Sequence, residues 1–80
     1  MKKRIRKNKM PNEVIELGIR IQHIIKQKNL KVRNVAHDAN LDVENLRKYI
    51  KGKQEMKITT MLKIVKALNV EVNDLFKKDN

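Results

Sequence analysis

Apolar residues recur at three- and four-residue intervals in five stretches, the repeat of a helix that buries one side. Val14, Leu17, Ile21, Ile24 and Ile25 predict a first helix over 12–27, entered through Pro11, which a first turn tolerates, with Asn12 able to cap it. Leu30 follows as an apolar loop residue expected to plug the core. Val32, Val35, Ala36 and Ala39 predict a second helix, barely two turns long, over 32–39. Asn40 then offers a side chain that enters the left-handed region at modest cost, so the turn is placed at 39–42. Asp42 has the acceptor an N-cap needs, Val43, Leu46, Tyr49 and Ile50 stripe a third helix over 43–51, and Gly52 ends it. Ile58, Met61, Leu62, Ile64, Val65 and Leu68 predict a fourth helix over 59–68, its apolar face broad as in a central helix, closed at Asn69. A short fifth helix over 72–77 is expected to bury Leu75 and Phe76. No strand alternation and no internal repeat is present, so the expected fold is all-α with five helices.

Eighty residues suffice for one small domain. Twenty Lys and Arg against nine Asp and Glu give a net charge of +11, which makes a polyanion the default partner, nucleic acid first and an anionic membrane surface second. Six of the cations, Lys2, Lys3, Arg4, Arg6, Lys7 and Lys9, crowd the first nine residues; from Met10 onward the net charge is only +5. The expected division is therefore a disordered basic arm at 1–10 and a folded domain at 11–78.

Without cysteine there is no disulfide framework, thiolate nucleophile or thiolate metal site. The two histidines, His23 and His37, fall on different predicted helices and lack a third ligand, so neither a metal nor a cofactor is expected. No apolar run has membrane-spanning length, and the basic start leads into no secretion signal; the expectation is a soluble, cytoplasmic chain that makes no membrane contact. No nucleophile with a nearby base, carboxylate pair or phosphate loop is visible. His37 and Asp38, as neighbours on a helix, are not expected to face each other, so the chain reads as a non-enzyme.

Two short helices joined by a tight turn, the second basic toward its far end, form a helix-turn-helix over about 32–51, whose second helix can enter the major groove of DNA. An ordinary bundle corner is the competing reading. The chain from Leu17 to Phe76 resembles the phage repressor and Cro type of helix-turn-helix domain, the Xre family. That family writes L-G-x-R-I in its first helix, where this chain has "LGIRI" at 17–21. Its apolar loop residue, Leu-Ala, Ala-Gly-Val turn, Leu within the third helix and following Gly match Leu30, Val35-Ala36, Ala39-Asn40-Leu41, Leu46 and Gly52. Its closing T-x-L-K-I-A-K-A-L-G-V and D-E-L-F match "TMLKIVKALNV" at 60–70 and "NDLF" at 73–76. The resemblance implies a compact lambda-repressor-like DNA-binding regulator, probing bases with Val43, Glu44 and Lys48 and placing Asn45 and Arg47 near the groove walls.

Two departures stand out. Where many members begin the second helix with a Gln that bonds phosphate, this chain has Val32. Where many pair an Arg with a Glu inside the domain, it has Ile25 and Ile50. Replacing both partners of a buried ion pair by apolar groups is often neutral, so these two isoleucines are expected to touch.

The acidic start of the third helix has two readings. Asp42 as cap and Glu44 near the positive end of the dipole each favour the helix by about 0.3 to 1 kcal/mol. Alternatively the Glu44 carboxylate accepts from the cytosine amino group while Val43 meets a thymine methyl. Phosphates would be held by Lys31, Arg33, Asn45, Arg47, Lys48, Lys51, Lys53 and Lys57. The arm reads as a DNA-affinity element, a nuclear-import-like cluster or a solubilising tail. One short reading helix spans few base pairs, so a two-fold homodimer on double-stranded DNA is expected, with Val70, Val72 and Phe76 as its patch. The rivals are an antitoxin-like or other protein-interaction module, and RNA binding, for which no aromatic residue is predicted to be exposed.

Overall fold

The structure, a computed structural model, describes residues 10–76. Five helices follow in order: α1 (Asn12–Gln27), α2 (Val32–Asp38), α3 (Val43–Ile50), α4 (Ile58–Leu68) and α5 (Val72–Phe76). No strand occurs among the described residues. The basic cluster at 1–9 and the expected end of the fifth helix at Lys77 lie outside them.

Apolar periodicity becomes one core. Ile21, Ile24 and Ile25 of α1, Val35 and Ala36 of α2, Leu46 and Tyr49 of α3, Ile64, Val65 and Leu68 of α4, and Leu75 of α5 form a single buried cluster. α1 packs on α3 and α5, α2 on α3 and α4, and α4 on α5, so α3 is held along its inner side by two helices.

The helices stop by a shared device. α1, α2, α3 and α4 are followed by Asn29, Asn40, Gly52 and Asn69, all at positive φ, between 59° and 71°. In each case the N–H of that residue donates to the carbonyl three residues back, and the next N–H to the carbonyl five back. The pairs run from Asn29 and Leu30 to Lys26 and Ile25, and from Gly52 and Lys53 to Tyr49 and Lys48, at 2.9–3.1 Å. This Schellman closure satisfies carbonyls that the helix end leaves free.

Several expectations are corrected. Leu30 is 38% exposed: its backbone closes α1 while its side chain stays at the rim, whereas the equivalent Leu41 after α2 packs against the core. Phe76 is exposed, because a five-residue helix buries one side and Leu75 takes it. α4 begins at Ile58, not Thr59, and its apolar face is broader than the core can cover, leaving Ile58 and Leu62 exposed one turn apart. α2 stops at Asp38 and α3 at Ile50, with Ala39 and Lys51 as their C-caps. Asn12 is the first residue of α1 rather than its cap; Pro11 holds that place, and its carbonyl accepts from the N–H of Val14.

Candidate nucleic-acid interface

Small residues let the two central helices meet. Ala36 and Ala39 are buried, and the chain reverses at Asn40, whose φ is 59°. The N–H of Leu41 donates to the Ala36 carbonyl at 2.8 Å, which closes α2 and fixes where α3 begins. Asp42 has extended backbone dihedrals, and its Oδ1 accepts from the N–H of Glu44 at 3.0 Å. Among α1 to α4 this is the only side-chain N-cap; Lys31 and Lys57 stand at the corresponding places of α2 and α4 and supply no acceptor.

With Leu46 fully buried, a turn of roughly 100° per residue sends Glu44, Lys48 and Lys51 to the opposite, outer side of α3, flanked by Arg47 and Asn45. All five are exposed. Lys31, Arg33, Lys53 and Lys57 are exposed as well, on α2 and on the segments bordering α3 and α4. Val43 differs: it is half-buried and packs against the core, so only part of it faces outward. Val32, at the start of α2, is likewise half-buried against the core. The arm cations Lys2, Lys3, Arg4, Arg6, Lys7 and Lys9 lie outside the described residues.

His37 and Asp38 do approach each other, Nδ1 to Oδ1 at 3.9 Å, contrary to expectation. Adjacent flexible side chains can lean together beside a helix, but both are strongly exposed and too far apart for a hydrogen bond. No three His, Cys, Asp or Glu gather as a metal site among the described residues. No described helix is long and apolar enough to cross a membrane.

Two supports of this face lie outside the apolar pattern. Gly18 lets α1 approach the end of α3: a Cβ there would sit 2.6 Å from the carbonyl oxygen of Ile50 and closer still to that of Tyr49. Arg20 donates from Nε to the carbonyl of Asp74 at 2.9 Å, tying α1 to α5, while the Asp74 carboxylate accepts from the N–H of Glu71 and caps α5. Both residues lie within "LGIRI" and "NDLF", so the signal was their pairing rather than their apolar pattern. Ile25 and Ile50 border the same core. The Ile50 backbone itself lies against Gly18, seven residues and roughly 10 Å of helix before Ile25.

A short helix, a left-handed turn and a capped second helix with its polar side outward define a helix-turn-helix domain. The chain belongs to the Cro/C1-type HTH DNA-binding domain family, whose pattern matches residues 20–79. Similar solved structures include the restriction-modification controller protein C.AhdI from Aeromonas hydrophila, at TM-score 0.79 and 23% identity, covering 82% of this chain and 100% of that one. The clp gene regulator ClgR from C. glutamicum superposes at TM-score 0.79 and 20% identity, covering 82% of this chain and 86% of that one. At such identities the likeness establishes the fold. No curated protein matches the chain by sequence.

Proposed function

We propose that the chain is a sequence-specific DNA-binding transcriptional regulator, acting as a repressor, which lays α3 in the major groove. The observation that carries this reading is the outer side of α3, where Glu44, Lys48 and Lys51 stand exposed opposite buried Leu46. In this pose Val43, Glu44 and Lys48 read bases. Lys31, Arg33, Asn45, Arg47, Lys51, Lys53 and Lys57 hold phosphates, and residues 1–10 serve as an arm that adds affinity to the domain at 11–78. Similar folds named as a restriction-modification controller and a gene regulator support a regulatory role, and a cytoplasmic, nucleoid-associated location goes with that reading.

The DNA-bound form is a homodimer, since one helix of eight residues spans only a few base pairs. Exposed Val72 and Phe76 on α5, beside half-buried Val70, offer the apolar patch for a second copy.

The test is a salt titration of binding to a random duplex library, with the bound fraction sequenced and the experiment repeated without residues 1–9. A near-palindromic motif that survives the deletion supports a sequence-specific regulator. Binding without a motif, lost with the arm, would instead favour a protein-interaction module of the antitoxin kind. The exposed apolar residues Ile58 and Leu62 would then be its natural contact.

A further inference from the structure

Glu44 is the anomaly of the outer face. From 31 to 53 the exposed cations Lys31, Arg33, Arg47, Lys48, Lys51 and Lys53 outnumber the acids, and one turn separates Glu44 from Lys48 on the same side of α3. Asp42 supplies the side-chain cap by accepting the Glu44 N–H, so within the helix the Glu44 carboxylate is left only a small, solvent-exposed attraction to its positive end. Its carboxylate has no hydrogen-bond or ion-pair partner among the described residues. Docking such a group on DNA strips its water and brings it toward phosphates, both unfavourable unless a donor faces it.

Major-groove edges differ in what they offer. Guanine presents two acceptors, thymine an acceptor beside a methyl, and adenine a donor next to an acceptor; cytosine alone presents a donor with no acceptor of its own. We propose that Glu44 sets a cytosine in each half-site and works chiefly by exclusion, lowering affinity for every other sequence. This rests on the reading that α3 lies in the major groove. Wild-type binding then falls roughly five- to 150-fold when that cytosine is replaced. Removing the charge raises affinity for random duplex by about two- to fivefold at low salt, a gain that shrinks as salt screens it.

The experiment sequences duplexes selected from a random pool by the full chain and by its Glu44→Gln, Glu44→Ala and Lys48→Ala variants, all at exposed positions. Glu44→Gln is expected to move one column per half-site from cytosine to adenine, the base a Gln amide can bind through two hydrogen bonds. Glu44→Ala is expected to level that column alone. A wild-type motif that changes with Lys48→Ala but in no column with either Glu44 variant overturns the role of Glu44 and leaves groove reading intact. A wild-type chain that selects no motif overturns both.

Discussion

The carbonyl oxygen of Ile50 lies 2.6 Å from the point a Cβ on Gly18 would occupy. Intrinsic helix propensity favours Ala over Gly by about 0.8 to 1 kcal/mol, so on an isolated helix Gly18→Ala would stabilise. Here the obstacle is backbone, which cannot rotate away, and the overpacking cost of about 1 to 3 kcal/mol is met at its upper end. Gly18→Ala is expected to destabilise the fold by about 2 kcal/mol in a urea melt. A variant as stable as the parent would mean that α1 and α3 do not approach this closely.

Asn69 closes α4 at φ 59°. A residue with a Cβ is strained there, Asn less than most, and Gly not at all. Asn69→Gly is expected to raise stability by about 0.5 kcal/mol and Asn69→Ala to lower it by about 1 kcal/mol. Equal melting temperatures for the two variants would contradict a left-handed cap.

Three of the four closures share one sequence mark, an Asn followed by an apolar residue: Asn29-Leu30, Asn40-Leu41 and Asn69-Val70. Two were legible from the sequence; the first was obscured by reading Leu30 as a core plug. The helices themselves were legible because periodicity reports which side of each is apolar. It does not report how many neighbours cover that side, which is why Ile58, Leu62 and Phe76 were assigned to a core that leaves them exposed. Gly18 was illegible for a related reason: what forbids a side chain there is the far end of α3. On the candidate interface, the resemblance singles out Val43, Glu44 and Lys48, and the structure shows Glu44 and Lys48 exposed. The division of Val43 between core and surface needed the packing of α3.

Lys31 and Lys57 occupy N-cap positions with backbone dihedrals that suit Ser or Asp, yet neither makes a side-chain cap bond. Lys31→Ser and Lys57→Ser should each stabilise the domain by about 0.5 to 1 kcal/mol. If both lysines hold phosphates, each change should also weaken DNA binding and flatten the log-log salt dependence by about 0.9. Thermal melts and salt titrations on the same samples separate the two effects. A gain in stability with no change in salt slope would remove that lysine from the interface.

Val72 is 37% exposed on α5, beside exposed Phe76. A carboxylate there is tolerated in a monomer and buried at the expected two-fold interface, where two copies would face each other. Val72→Glu should leave the melting temperature of dilute protein nearly unchanged while converting a dimer to a monomer by light scattering. A variant that stays dimeric would move the interface elsewhere.

Ile25 is 2% exposed, whereas Ile50 is half-buried beside the same cluster. Ile25→Arg alone places a charge in the core without a partner and should cost about 3 to 5 kcal/mol; Ile50→Glu, nearer the surface, should cost less. Both positions border one cluster, and the longer Arg and Glu side chains can pair from there. The double variant should therefore recover at least about 0.5 kcal/mol relative to the sum of the single changes, the signature of residues that interact. Denaturant melts of all four chains give this coupling directly. A coupling of zero would show that positions 25 and 50 act independently.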